Sequence, residues 1–215
     1  MQDTPTPFYR FVRTVVRALV TSLGGVTVTG AENIPTTGPV ILASNHRAHV
    51  DPPYLSLITR RQIYFMGKEE LFHVPILRQI ITGVGAFPVK RGVPDRSALK
   101  HAVNLLKEGR VVLIFPEGTR SEDGALRAAE KGFALIARQT DAAIVPVAIE
   151  GTEAMLPKGK ARIRRARVRV TVGPPLTAQS ILAAHPDAGR DALEIIGAQT
   201  MRAIGALLSG GAQGE

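Results

Sequence analysis

His46 and Asp51 stand five residues apart in "NHRAHVD", directly after the apolar run "PVILAS", and both carry side chains that can move or steer a proton. On a continuous helix that spacing turns the two side chains about 140° apart. Pro52 biases Asp51 away from helical dihedrals, and Pro52 and Pro53 suit the first turn of a helix. Residues 45–51 are therefore expected to form a strand-to-helix loop in which the carboxylate folds back on the imidazole. A carboxylate on one ring nitrogen fixes the tautomer and leaves the other free to accept a proton from an attacking hydroxyl, which is a general-base pair. The competing reading makes Asp51 a helix cap and His46 an ordinary loop histidine. A third assigns His46, His49 and Asp51, with His73, to zinc. It ranks below the base pair because no second compact cluster accompanies them and the spacing is not that of an H-E-x-x-H helix. Serine hydrolysis ranks lower still, since no G-x-S-x-G elbow is present.

Two further stretches offer anion-binding groups. "LIFPEGTRSEDG" ends an apolar run with Glu117, Gly118, Thr119 and Arg120. Glycine lets backbone amides approach an anion, and a hydroxyl with a guanidinium fork matches phosphate oxygens. "GVGAFPVKRG" delivers Lys90 and Arg91 to a strand end, where ligands of α/β sheets collect. Alone, each also reads as a charged surface turn. Neither contains G-x-G-x-x-G or G-x-x-x-x-G-K-[ST], so no nucleotide fingerprint occurs.

Seven Val/Ile-rich runs must position these groups: 26–30, 39–45, 62–67, 85–91, 110–118, 143–151 and 167–173. Segments of helical period separate several of them, including Leu99, Val103 and Leu106 before Gly109, and Ala129, Phe133 and Ile136 after "FPEG". The alternation predicts a single α/β domain with a central, mostly parallel or mixed sheet of about seven strands flanked by helices. The runs at 39–45, 111–115 and 143–149 are apolar almost throughout, as expected of central strands covered on both faces. "RVRVTV" alternates, which suits a strand nearer an edge. Leu193, Ile196, Met201, Ile204 and Leu208 predict a last helix packed on the sheet.

At the start of the chain, "PFYRFVRTVVRALV" sets Arg10, Arg13 and Arg17 along one helical face and Phe8, Phe11, Val12, Val15, Val16 and Leu19 largely on others. Two readings fit: an amphipathic helix in a membrane interface, or a helix docked on the core with a solvated arginine stripe.

The chain has 215 residues, 45% hydrophobic, enough for one substantial core. It contains no cysteine, which excludes disulfides, thiolate metal sites and a cysteine-bound intermediate. Lys and Arg number 27 against 18 acidic residues, a net charge of +9, so polyanions are expected partners. Neither a secretory leader nor an apolar run of bilayer-spanning length is evident, so membrane contact is expected to be peripheral. The basic stretch "KGKARIRRARVR" raises nucleic-acid binding as a rival function. No aromatic residue interleaves it to stack on bases, so nucleic acid is not expected as a partner.

Taken together, "NHRAHVD", "GAFPVKR", "FPEGTRS" and "VPVAIEGT" occur in the order of the four blocks of the 1-acylglycerol-3-phosphate acyltransferases, the glycerolipid acyltransferases with an HxxxxD motif, and the chain resembles that family over residues 40–152. Pro88 stands where the second block more commonly has an aliphatic residue. The resemblance implies His46 as general base, Asp51 as its orienting partner, and Arg91, Glu117, Gly118, Arg120 and Lys131 around the acceptor's glycerol phosphate, where Lys90 and Thr119 are expected to join them as the anion-binding groups read above. It assigns no role to His49 and implies neither a metal nor another cofactor. The implied reaction moves an acyl group from acyl-CoA or acyl carrier protein to lysophosphatidic acid, with another lysolipid or glycerol 3-phosphate as the alternative acceptor. It also implies peripheral attachment to an anionic membrane surface on the cytoplasmic side of the cell membrane. On this reading residues 1–24 form the interface helix, 25–209 the acyltransferase domain and 210–215 a flexible tail.

Overall fold

A computed structural model describes residues 4–90, 92–93, 95–120, 125–155 and 163–211. The chain order is α1 (Pro7–Ser22), β1 (Val26–Thr29), β2 (Val40–Ser44), α2 (Asp51–Leu55), β3 (Ile63–Lys68), α3 (Pro75–Gly83), β4 (Ala86–Val89), α4 (Arg96–Lys107), β5 (Val111–Ile114), α5 (Lys131–Gln139), β6 (Ala143–Glu150), α6 (Thr152–Met155), β7 (Val168–Val172), α7 (Ala178–Ala183) and α8 (Ala192–Gly211). All seven expected strands form one sheet in the order β1-β7-β6-β2-β5-β3-β4. β6, β2, β5, β3 and β4 run parallel; β7 is antiparallel to β6, and β1 runs parallel to β7. The sheet is therefore mixed.

The three strands expected at the centre are there, and their apolar character follows from cover on both faces. Successive side chains of β2 enter opposite layers. Ile41 and Ala43 pack with Val112, Ile114, Leu106, Phe133 and Ile196 of one core. Val40 and Leu42 pack with Leu113, Val145, Tyr54 and Val170 of the other. The alternating strand β7 is one place from the edge, with Arg169 exposed and Val168, Val170 and Val172 buried. Pro88 lies exposed in β4, an edge strand, where a missing ladder donor costs least. The last helix packs where its periodicity predicts, with Ile196 and Ile204 fully buried. Among the described residues no helix is long and apolar enough to cross a membrane.

Of the two readings of the first helix, the structure bears on the docked one. The helix is docked on the core through Tyr9 and Val20, which are buried. Yet the expected solvated arginine stripe is only partly solvated. Arg13 turns inward, its Nε donating to the Ser56 carbonyl at 3.0 Å and its Nη2 to those of Leu57 and Thr59 at 3.3 and 2.8 Å. A guanidinium presents several donors in a fixed fork, so it can satisfy carbonyls that an apolar side chain would leave bare. With that face committed, Phe8, Phe11, Val15 and Leu19 remain on the outside, Phe11 being 66% exposed.

Candidate active site

Parallel pairing of β2 with β5, in register Ala43 to Ile114, brings the carboxyl ends of the two strands side by side. The loops that follow them, 71 residues apart at their closest hydrogen bond, form one site. Asn45 fixes the exit from β2. Its Oδ1 accepts from the Ile149 N–H at 2.8 Å and its Nδ2 donates to the Ile149 carbonyl at 2.9 Å, so the side chain continues the β2–β6 ladder beyond its last backbone pair.

The loop then turns as expected before the two prolines, which occupy the first turn of α2. His46 Nδ1 lies 2.7 Å from Asp51 Oδ2. The same oxygen accepts from the backbone N–H of Arg47 at 2.7 Å and of Ala48 at 2.9 Å. These donors lie before the helix, and Val50 is the cap residue, so Asp51 is not acting as a helix cap. An oxygen that collects two backbone donors is an acceptor, which makes Nδ1 the donating ring nitrogen and leaves Nε2 as the basic one. Asp51 is fully buried and His46 nearly so. Phe115, just past β5, stacks on the imidazole with centroids 3.9 Å apart and planes 14° from parallel, locking the ring's orientation.

Glu117 ties the two loops together. Its Oε1 accepts from the His46 N–H at 3.1 Å and its Oε2 from the Arg127 N–H at 3.1 Å, and the side chain is buried. Its contribution is thus to the position of the His46 loop and of the segment that returns toward α5. Gly118 follows at φ +69°, where a Cβ would meet the Glu130 side chain at 3.0 Å. The positive φ favours glycine, and any larger residue would also press on the Glu130 side chain. The turn is closed by the Gly118 N–H donating to the Phe115 carbonyl at 3.0 Å. Thr119 Oγ1 accepts from Arg127 Nη1 at 3.4 Å, and Arg120 follows half-buried.

The remaining cations are set further out. Lys90 Nζ lies 3.9 Å from Glu69 Oε1 and Lys131 Nζ lies 3.7 Å from Glu194 Oε1, all four side chains being exposed. Arg91 falls outside the described residues. Among the described residues no group of three or more His, Asp or Glu side chains is arranged to hold a metal ion. Asn45, Phe115 and Arg127 complete the site without having been assigned a part in it from the sequence. The first two carry a signal, being a polar and an aromatic residue at strand ends within the motifs. Arg127 contributes a backbone N–H, which no residue type announces.

A family profile described as Acyltransferase matches residues 25–150. The chain is 35% identical over 170 residues to the 1-acyl-sn-glycerol-3-phosphate acyltransferase of Bacillus subtilis, the match covering 78% of this chain and 82% of the relative. It is 34% identical over 178 residues to the Streptococcus pneumoniae protein of the same name, covering 81% of this chain and 64% of that one. It is 35% identical to a chloroplastic relative from Arabidopsis thaliana, of which it spans 43%. Among solved structures, the 1-acyl-sn-glycerophosphate (LPA) acyltransferase of Thermotoga maritima superposes with a TM-score of 0.77 at 27% identity, covering 96% of this chain and 81% of that chain.

Proposed function

Because the chain belongs to the 1-acylglycerol-3-phosphate acyltransferase family and is an acyltransferase, we propose that it transfers an acyl group from acyl-CoA or acyl carrier protein to the free hydroxyl of lysophosphatidic acid, giving phosphatidic acid. The single observation that carries this reading is the His46–Asp51 pair at 2.7 Å, with Nε2 left as the base. His46 Nε2 takes the acceptor's hydroxyl proton as that oxygen attacks the thioester carbonyl carbon. The carbon–sulfur bond then breaks, and the imidazolium returns the proton to the departing thiolate. Asp51 carries the charge complementary to the transient imidazolium, and both substrates are brought together without a covalent enzyme intermediate.

The acceptor's phosphate is held by Gly118, Thr119 and Arg120 of the turn after β5, by Lys131, and by Lys90 with Arg91. Exposed ion pairs such as those of Lys90 and Lys131 are worth about 0–1 kcal/mol, so exchanging the carboxylate for a phosphate is not opposed strongly. Glu117 acts here by holding the turn against the His46 loop.

The lipid acceptor reaches the site through peripheral attachment to an anionic membrane surface on the cytoplasmic side. Support comes from the outward stripe Phe8, Phe11, Val15 and Leu19 of α1 and from exposed Leu71, Val74, Ile76 and Ile80 between β3 and the end of α3. The two sets are joined, since a Cβ at Gly83 would fall 2.5 Å from the Phe8 ring. A contiguous apolar surface of this kind, beside lysines and arginines, fits a bilayer interface.

The test is transfer by the purified full chain to lysophosphatidic acid, lysophosphatidylcholine, monoacylglycerol and glycerol 3-phosphate, each with both thioester donors. Lysophosphatidic acid is expected to be acylated fastest, and the donor comparison identifies the carrier. Equal rates with monoacylglycerol, which lacks phosphate, would contradict the proposed acceptor.

A further inference from the structure

A second concentration of positive charge lies where α1 meets the residues after α2. Three contacts hold the helix there: the inward Arg13 guanidinium, the Thr6 N–H donating to Gln62 Oε1 at 3.2 Å, and the Ile63 N–H donating to the Tyr9 hydroxyl at 3.2 Å. Beside them is a cleft of about 550 Å³ lined by Arg10, Arg13, Arg17 and Arg60 together with Tyr9 and Thr59. Arg10 and Arg17 flank Arg13 at the i−3 and i+4 positions, so all three line the same side of the helix. Arg60, which follows the Thr59 carbonyl that Arg13 meets, lines the same cleft, and its charge acts on Arg13.

Among the described residues no acidic side chain lines this cleft, and none of the four guanidinia is paired with a carboxylate. Among the described residues, then, no carboxylate balances this charge. Burial above all, then the Arg17 and Arg60 charges, hold the Arg13 guanidinium below its usual range, with Tyr9 acting in the opposite sense. Of the four arginines, docking α1 needs Arg13 alone, and the other three around the cleft add nothing to it. An anion bearing several acceptor oxygens relieves the repulsion, and guanidinium forks match phosphate oxygens in pairs.

We propose that this cleft is a phosphate-binding site distinct from the acceptor site at His46, taking either the phosphate of an anionic lipid headgroup or free phosphate, and that its occupancy fastens α1 to residues 56–60. The inference does not depend on the acyl-transfer reading. The headgroup source has the shorter path, because α1 carries both the arginines and the outward apolar stripe.

The experiment compares thermal unfolding of the full chain and of the Arg17→Gln/Arg60→Gln variant over a titration of inorganic phosphate, against chloride at matched ionic strength. The wild-type midpoint is expected to rise saturably, by about 3–5 °C at tenfold above half-saturation. In the variant that rise falls below half, while its midpoint in chloride equals or exceeds the wild-type value because like charges have been removed. Equal phosphate-dependent rises in both proteins, or none in the wild type, would overturn the proposal. The source is read from vesicles of phosphatidylglycerol. If a headgroup fills the cleft, phosphate at constant ionic strength weakens vesicle binding by the wild type and leaves the variant's unchanged. If free phosphate fills it, vesicle binding by both proteins ignores phosphate.

Discussion

The molecule has two charged centres built on opposite terms. At the ends of β2 and β5 the charged groups of Asp51 and Glu117 are buried, and they accept hydrogen bonds from His46 or from backbone N–H groups of neighbouring segments. Where α1 meets the residues after α2, Arg10, Arg13, Arg17 and Arg60 line a shared cleft, and among the described residues only Arg13 is committed, to three carbonyls. The first centre is rigid because moving any member strands a buried polar group. The second is a set of like charges waiting on a counter-charge. Chemistry that depends on sub-ångström placement belongs to the first kind, and reversible capture of an anion to the second.

The comparison breaks first at His46. Replacing it by alanine removes the base but none of the backbone pairing that Asp51 and Glu117 sustain, so the fold should persist while turnover falls by about 10³–10⁴-fold. A folded variant that retained comparable turnover would take the proton chemistry out of this site.

Glu117→Gln sharpens the contrast. Both carboxylate oxygens receive N–H donors, and a glutamine turns an N–H₂ toward one of them. Loss of about 1–3 kcal/mol of unfolding free energy is expected, with turnover falling in step as the His46 loop loosens. A denaturant midpoint equal to wild type would show that the two loops do not depend on this carboxylate.

Arg120→Gln should leave turnover at saturation near wild type and raise KM for the phosphorylated acceptor about tenfold. An equal rise with monoacylglycerol would exclude a phosphate role.

The smallest effect is expected at Asp95, which lies outside both centres and caps α4. Its Oδ1 accepts from the N–H of Ser97 and Ala98 and its Oδ2 from that of Lys90, all at 3.0 Å. Alanine there should cost about 1 kcal/mol. The same bonds, that of Lys90 first, hold the Asp95 carboxyl below the usual carboxylate range. A depressed value means its contribution is present above the unfolded pKa, about 3.9, and is lost as pH falls through the folded one. The stability difference between wild type and variant should therefore be full near neutrality and shrink in acid below about pH 4. A difference that stayed constant across that range would exclude the charged cap.

The first centre was legible in the sequence because its parts are local: an apolar run, a turn signalled by Pro52 and Pro53, and His46 and Asp51 between them. The seven strands were legible for the same reason, each being a short Val/Ile-rich run with turn residues at its borders. Residues 69–83 were not read as helical, although the structure forms a short 3-10 segment at Glu69–His73 and then α3. The docked face of α1 was not legible either. Its pattern points Phe8, Phe11 and Leu19 at either a core or a membrane interface, whereas the docking surface offers the carbonyls of Ser56, Leu57 and Thr59, and these select Arg13. Hydrophobic periodicity cannot register that preference, because it resides in the neighbouring backbone. Lys131 illustrates the same limit. Its nearest carboxylate, Glu194, lies 63 residues away and meets it only once α5 and α8 have packed.

A double-mutant cycle in acyl transfer, built from His46→Ala, Asp51→Asn and their combination, tests the central claim that the two side chains work as one proton-accepting unit. Asparagine with its carbonyl oxygen in the place of Oδ2 keeps the acceptor for the Arg47 and Ala48 amides and for His46 Nδ1, so the fold and the ring orientation are conserved while the negative charge facing the imidazolium is lost. Asp51→Asn alone should lower turnover by on the order of 10²-fold, and the double variant should be no slower than His46→Ala. Losses that multiply in the double variant would mean that the two residues act independently, and would contradict the account.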